Sequence, residues 1–358
     1  MILLATNGSK RVRLLQAARA RLKLPPARVL EWRDWLAQPA LLGTALAQPC
    51  RFKIEPPGDD PAAHLQLLRD GCRLQDRAPV RPPAHGELLA MDSWFAGFDA
   101  AMARLAAQLA TLPQARVVNP PRDIALMTDK LACQQHLAAH GVATPALLGR
   151  IDGYEHLQSL LRWHDLDRVY LKPRYGSSAS GVVAYRRNKA GRQQATTSAS
   201  MAHAGGETRL FNVKRIAHHE SPADIAALVD ALAAQQLYAE QWIDKPRIGD
   251  GHYDLRVVAI NGQPVHRVAR MGNRMMTNLH LDNQRGDPST LLSEPDMAAL
   301  EAATGQAALA FPASGVTGYD LVVRRGQAHV LEANAFGDLL PGLLWQELDT
   351  YEMQMRHA

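Results

Sequence analysis

Along the first part of the chain the apolar positions switch between the two-residue repeat of strands and the longer repeat of helices. "MILLATNG" reads as a first strand, and "KRVRLLQAARARLK" (residues 10–23) carries helical apolar spacing with its basic side chains on a solvated face. Together they make an α/β opening. Two polar, proline-rich stretches, "CRFKIEPPGDDP" and "RAPVRPPAHG", read as loops, and "SWFAGFDAAMARLAAQLATL" reads as a helix. "VVNPPRD" (117–123) is a strand end followed by a rigid turn, and the first boundary falls there.

Beyond that turn, "IALMTDKLACQQHLAAHGVATP" predicts one helix ending at Gly141, and "VYLKPRYGSSASGVVAYRR" predicts a hairpin around a small-residue loop. The stretch "NKAGRQQATTSASMAHAGGE" (188–207) is small and polar, and reads as a mobile insertion. "SPADIAALVDALAAQQ" is a helix with Ser221 as N-cap and Pro222 at its first position. After the strand "LYAEQWI", the segment "HYDLRVVAINGQPVHRVARMG" forms a hairpin turning at Asn261-Gly262, and "GVTGYDLVVRRGQAHVLEANAFGD" is strand, turn, strand. The fold class is α/β, becoming α+β toward the C-terminal part.

Composition narrows the class. The chain has 358 residues, 47% hydrophobic and 21% charged, enough for two or three packed units with a sizeable core. No apolar run approaches the ~20 residues of a membrane span, and the basic residues of "MILLATNGSKRVR" follow the short apolar start, the reverse of a signal peptide. A cytoplasmic location is expected. Cys50, Cys72 and Cys133 are scattered without a zinc or disulfide spacing. The net charge of +5 comes from Lys and Arg spread along the chain without an aromatic-interleaved basic motif, so nucleic acid is not an expected partner.

Candidate chemistry sits in three places. In "HVLEANA", Glu332 and Asn334 share one face of a strand, with Val330 in line behind them, and the hairpin can bring Asp320 beside them. Oxygen ligands without thiol or imidazole suit Mg²⁺, which shares its coordination with substrate phosphates. An edge strand with a polar face in water produces the same spacing. Lys172 precedes a loop of Gly176, Ser177, Ser178, Ser180 and Gly181, whose backbone N–H groups and hydroxyls can approach a phosphate; a flexible surface hairpin is the alternative. Arg256, Arg267, Arg270 and Arg274 follow closely, with Arg256 and Arg270 on the strands flanking the Asn261-Gly262 turn. No Walker A or G-x-G-x-x-G sequence follows the first strand.

The ordered set "NPPRDIALMTDK", Lys172 before a Gly/Ser loop, "EQWI", "DLR", "TNLH", "GYDLV" and "LEANAFG" resembles the ATP-grasp superfamily over roughly residues 117–348. "DLR", "NLH" and "LEAN" are most similar to signatures of its ribosomal-protein glutamate ligase branch. The resemblance implies a pre-ATP-grasp α/β domain over 1–118, a central lid subdomain over 119–238 and a C-terminal subdomain with the Mg²⁺ site over 239–358. It implies ATP with Lys130 and Lys172 on the phosphates, the Gly/Ser loop closing over them, and adenine held by Glu240 and the hinge Gln241, Trp242 and Ile243. By the same resemblance Asp320, Glu332 and Asn334 hold Mg²⁺, while Arg256 and Arg270 are the catalytic candidates on an acyl phosphate. The segment between Lys172 and Glu240 is longer than the family pattern, and Asp244 and Asp250 both stand where a ribose-binding acid is sought. The expected activity is a carboxylate–amine ligase releasing ADP and phosphate, with a kinase or a non-catalytic ATP-binding protein as alternatives. Its substrates would be a small molecule, peptide or protein carrying a carboxylate, and an amine; self-association is left open.

Overall fold

A computed structural model describes residues 1–176, 179–204, 207–273, 277, 283–337 and 340–357. The first unit runs β1 (Ile2–Ala5), α1 (Lys10–Arg21), β2 (Arg28–Glu31), α2 (Trp32–Ala37), α3 (Leu41–Ala45), β3 (Cys50–Ile54), α4 (Pro61–Leu74), α5 (Met91–Ala110) and β4 (Ala115–Val117). Its strands form a parallel sheet ordered β2-β1-β3-β4. Alternation along β1 sends Ile2 and Leu4 toward Trp32, Trp35 and Phe52, and Leu3 and Ala5 toward Val12 and Leu15 of α1. The proline-rich stretch at 50–61, expected as loop, contains strand β3: Phe52 and Ile54 are buried, and the prolines fall only after them. Helices α4 and α5 cross in backbone contact. A Cβ on Gly97 would lie 1.9 Å from the Leu67 carbonyl oxygen, and one on Gly71 only 1.6 Å from that of Ser93.

The single helix expected after residue 121 is two: α6 (Pro121–Thr128) and α7 (Lys130–Ala139). Asp129 between them is extended, and its carboxylate accepts from Ala132 N at 3.1 Å as the N-cap of α7. Arg174 holds the same carboxylate at 2.6–3.0 Å, and its carbonyl accepts from Lys130 N at 3.1 Å. The break is therefore imposed by a tertiary contact.

The second unit adds β5 (Leu147–Arg150), α8 (Tyr154–Trp163), β6 (Arg168–Pro173), β7 (Val183–Arg187), β8 (Gln193–Ala204), β9 (Glu207–His219), α9 (Pro222–Ala233) and β10 (Leu237–Gln241). Its antiparallel sheet is ordered β5-β10-β6-β7-β8-β9. The expected mobile insertion is thus mostly the long β8–β9 hairpin. Ala195, Thr197 and Ala199 alternate into the interior beside Leu210, too small to announce a strand by hydrophobicity. The free edge of β9 is clipped by the first unit: Asn212 N donates to Gly86 O at 2.7 Å and Leu88 N to Leu210 O at 2.8 Å. Between them Glu87 receives Arg209 at 2.7–2.8 Å and also binds Arg81.

The third unit comprises β11 (Arg247–Ile248), β12 (Gly251–Ile260), β13 (Gln263–Gly272), β14 (Gln284–Gly286), α10 (Glu294–Leu309), β15 (Val316–Arg324), β16 (Gln327–Asn334) and α11 (Thr350–His357). Its sheet is ordered β14-β13-β12-β15-β16, with β11 on β12. Asn261 and Gly262 form the β12–β13 turn with φ of 48° and 78°, the left-handed pair a two-residue hairpin needs. On β12 and β15, Leu255, Val257, Tyr319 and Leu321 pack into the core shared with α6, α7 and α10. Helix α11 returns to the first unit, where Tyr351 packs with Leu3, Val12 and Leu15. Among the described residues, no helix is long and apolar enough to cross a membrane.

Candidate active site

Because Leu255, Val257, Tyr319 and Leu321 take the core face of the third sheet, the intervening residues project from the other one. Register then aligns charges across three strands: Arg270 pairs with Asp254, Arg256 with Asp320, and Asp320 with Glu332. Asp254 accepts from Arg270 Nε at 2.7 Å through Oδ1 and from Lys245 Nζ at 2.8 Å through Oδ2. Asp320 lies 2.5 Å from Arg256 Nε and 3.1 Å from Arg270 Nη2. Burial opposes ionisation of Asp254, but Arg270 and Lys245 outweigh it and hold its carboxyl below the usual carboxylate range. Burial likewise works against the charge of Arg270, yet Asp254 and Asp320 reverse that and raise its pKa.

Residues Glu332 and Asn334 stay on one face of β16, as expected, but Val330 does not continue it. The register between β15 and β16 shifts after Asp320, so that Leu321 pairs with Val330, and Leu331 is the extra residue. Val330 joins Ala333 in the core while Leu331 lines the cleft with Glu332. Asn334 pairs with Gly318, to whose carbonyl its Nδ2 donates at 3.5 Å. A Cβ on Gly318 would come within 3.1 Å of Arg256 Nη1, a close contact that the glycine avoids.

Two lysines approach from the opposite wall. The helix break at Asp129 makes Lys130 the first residue of α7, and its Nζ pairs with Glu332. Lys172, on β6, pairs with Glu240 on the neighbouring β10. Burial raises the pKa of Glu240, a residue only 2% exposed, with Lys172 acting against the rise. For Glu332 burial also works upward, but Lys130, Lys172 and Arg256 together bring the pKa down.

Between these walls lies a cleft. It is lined by Pro145, Tyr170, Ala179, Val182, Gln241, Ile243 and Leu331, and by the charged Lys130, Lys172, Glu240, Lys245, Asp254, Arg270, Asp320 and Glu332. In the cleft lining, Glu240 Oε2 and the Tyr170 hydroxyl are buried without a hydrogen-bond partner among the described residues. Such orphans are costly unless a ligand engages them.

Most sequence-derived candidates converge here. Lys130, Lys172, Glu240, Gln241, Ile243, Arg270, Asp320 and Glu332 line the cleft, with Arg256 beside Asp320 and Asn334 beside Gly318. Trp242 instead stacks on Tyr170 at 4.6 Å, under Arg168. In the small-residue loop, Gly176 abuts Met91, and Gly181 (φ 70°) abuts Pro173 and Leu232. Ser177, Ser178, Arg274 and residues 278–280 lie outside the described residues. Of the two acids considered for ribose, Asp244 is held by Arg168 at 2.7 and 2.9 Å. Arg267 turns away to Glu301 at 2.7 Å. Sequence reasoning missed Lys245, Tyr170 and the role of Asp254. Asp254 stood in the "DLR" motif, whereas Lys245 follows the hinge outside any periodic segment.

No protein-family model matches the chain, and no curated protein matches it in sequence. Solved structures do match in fold. D-cycloserine synthetase DcsG superposes with a TM-score of 0.57 over 99% of this chain and 97% of its own, at 15% identity. The ATP-grasp ligase PsnB complexed with minimal precursor, Mg and ADP gives 0.54 over 98% and 94%, at 15% identity. D-alanine–D-alanine ligase from Bacillus anthracis complexed with ATP gives 0.52 over 99% and 94%, at 11% identity. The fold of the chain is the ATP-grasp fold.

Proposed function

We propose that the protein is a cytoplasmic ATP-dependent carboxylate–amine ligase working through an acyl phosphate. The observation that carries this reading is one cleft lined both by apolar side chains and by four cations paired with carboxylates, Lys130, Lys172, Lys245 and Arg270, with Arg256 on Asp320 beside it. In this reading the apolar side chains form a slot for a base and the cations face the phosphates of a nucleoside triphosphate. The three fold matches named above are to enzymes called ligases or synthetases, which favours this reading over a kinase or a silent ATP-binding protein. The three sheets support a division into units over 1–118, 119–238 and 239–358, with β10 spanning the second division.

In this reading adenine takes the slot, with Glu240 Oε2 and the Tyr170 hydroxyl as its polar partners and the backbone of Gln241 and Ile243 along its edge. Lys130, at the N-terminus of α7, and Lys172 turn from their carboxylates to the phosphates, where the helix end adds its own positive potential. Gly176, Ser180 and Gly181 belong to the lid loop in this reading.

The donor set fits Mg²⁺. Asp320 and Glu332 are register partners whose carboxylates share the cleft, and Asn334 adds an amide oxygen. Among the described residues no three acidic, His or Cys side chains cluster, so waters and phosphate oxygens would complete the coordination. Mg²⁺ there supplies charge neutralisation for the transferring phosphoryl group. Arg256 and Arg270 are rigidly aimed by Asp320 and Asp254, and can receive that group bidentately.

In the chemical step a carboxylate oxygen of the substrate bonds to the γ-phosphorus as the bond to ADP breaks. The amine nitrogen then bonds to the acyl carbon, phosphate leaves with the C–O bonding pair, and the amine loses a proton.

Nucleotide products test the reading. Incubation with ATP, Mg²⁺, candidate carboxylates and hydroxylamine should yield ADP, phosphate and a hydroxamate. AMP with pyrophosphate would sink it, and ADP with a stable phosphorylated product untouched by amines would make the protein a kinase.

A further inference from the structure

Arg11 and Asn119 stand in two stretches, "MILLATNGSKRVR" and "VVNPPRD", to which the proposed function gives no task. Arg11 is the second residue of α1, after the N-cap Ser9, and the first turn of that helix holds no acidic side chain. A cation there opposes the helix dipole, so the helix gains nothing from it. What Arg11 does is reach the third unit: its Nη1 donates to Phe336 O at 2.9 Å, 325 residues away, and lies 3.6 Å from Glu55 Oε2. Glu55 is 2% exposed and is also bound by Lys53, which fixes this end of the bridge. Asn119, itself buried, holds the residue before Phe336. Its Nδ2 donates to Ala335 O and to Val316 O at 2.6 Å each, and its Oδ1 accepts from Val316 N at 3.0 Å.

Ala335 and Phe336 directly follow Asn334, and the β15–β16 ladder ends at the Gly318–Asn334 pair. The Asn334 side chain meets Gly318 O at 3.5 Å, a contact too long to fix the amide's direction. Beyond the ladder the Asn119 amide takes the place of a strand partner on Val316, and the chain turns at Gly337 with φ of 62°. The backbone that aims Asn334 is therefore held from outside its own sheet, by α1 and by the segment before α6.

We infer that Arg11 and Asn119 are positioning residues for Asn334: by holding the carbonyls of Phe336 and Ala335 they aim its amide oxygen at the metal and make the first unit part of the metal site. This rests on the ligase reading above, in which Asn334 is a ligand of Mg²⁺. Both residues act through Asn334. A neutral amide oxygen has no charge to draw the ion into place, so its worth as a ligand depends on alignment more than that of Asp320 or Glu332 does. Groups that orient a metal ligand in this way govern metal affinity by about 10- to 100-fold.

Binding of Mn²⁺ to the full chain in the presence of ADP, read by electron paramagnetic resonance, tests this without turnover. Arg11→Met should weaken Mn²⁺ binding at least tenfold, while ADP affinity measured without metal changes less than twofold. Asn334→Ala should weaken Mn²⁺ by a similar factor, and Arg11→Met/Asn334→Ala no further, because the arginine then has nothing left to aim. A merely structural arginine would add its own loss to that of the second substitution. Should Arg11→Met fail to fold, Arg11→Lys, which keeps a cation beside Glu55 but lacks the forked head, carries the same comparison. Wild-type Mn²⁺ affinity in the Arg11 variant or in Asn334→Ala, or losses that multiply in the double variant, would overturn the positioning role and leave the ligase reading standing. A wild type that takes up no Mn²⁺ with ADP would overturn both.

Discussion

Lys130 and Glu332 lie 202 residues apart in sequence and meet as an ion pair across the cleft, one from the first turn of α7 and the other from β16. In the proposed function each is the other's placeholder, the lysine for a metal ion and the glutamate for a phosphate. Glu332→Ala is expected to abolish ATP turnover while far-UV circular dichroism stays that of the wild type, because the glutamate borders an open cleft. Turnover at the wild-type rate would remove Glu332 from the metal site. Asn334→Asp keeps an oxygen in place and should be milder.

Lys172 and Glu240 make a second such pair, set deeper. Lys172→Ala leaves Glu240 buried without its cation, and removing one partner of a buried pair costs about 3 kcal/mol or more. Urea denaturation should show a loss of that order, and Lys172→Ala/Glu240→Gln should recover most of it. ATP affinity should stay low in both, and fall less in Lys172→Arg. Unchanged ATP affinity in Lys172→Ala would place the lysine away from the phosphates.

Trp242 offers an optical signal. It stacks on Tyr170, and Tyr170 lines the apolar slot, so adenine entering the slot should alter indole emission. Trp242→Phe should remove the ATP-dependent part of the fluorescence change. If the change persists in that variant, the reporter lies elsewhere.

Acid should unfold the protein through a few carboxylates. Hydrogen bonds from Arg81 and Arg209 lower the pKa of Glu87, and cationic partners lower those of Asp254 and Glu332 against the opposing effect of burial. Between the unfolded value of about 4 and the lower folded values, the unfolded chain binds more protons. Stability is therefore present above that range and is lost as pH falls through it. Denaturation midpoints measured from pH 7 downward should drop below about pH 4, and Glu87→Gln should start less stable and drop less.

Backbone contact between α4 and α5 gives a prediction independent of function. Gly97→Ala forces its methyl against the Leu67 carbonyl, and overpacking of this kind costs about 3 kcal/mol. A thermal midpoint equal to the wild type would mean that the helices separate freely.

How far the sequence could be read depended on where the information lay. The hairpins at 251–272 and 316–334 were legible because alternation and the Asn261-Gly262 and Arg325-Gly326 turns are local. Asp254, Arg270, Asp320 and Glu332 of the cleft lie on those hairpins. The break before Lys130 was not legible, since the helical pattern is continuous there and Arg174, 45 residues away, makes the interruption. Strands β8 and β9 were hidden because Ala195, Thr197 and Ala199 offer almost no hydrophobic contrast. Lys245 was missed because its meaning depends on Asp254 and Thr277, neither of which marks it in sequence. Val330 was placed on the wrong face because one extra residue in β16 inverts the parity of everything before it.

The clip of residues 86–88 on β9 has a bearing on solution behaviour. From Gln193 to Ala204 strand β8 has no charged Asp, Glu, Lys or Arg and no proline, and its partner β9 is the last strand of the sheet. A long hairpin with an open margin is a template on which other chains can add strands, and only β9 carries charges to oppose it. Gly86, Glu87 and Leu88 occupy the middle of that margin, and the Arg81 and Arg209 contacts to Glu87 fasten them there. Loosening this fastening would expose the hairpin to self-association before it touched catalysis, so poor solubility, not lost turnover, is the first consequence of damage at Glu87.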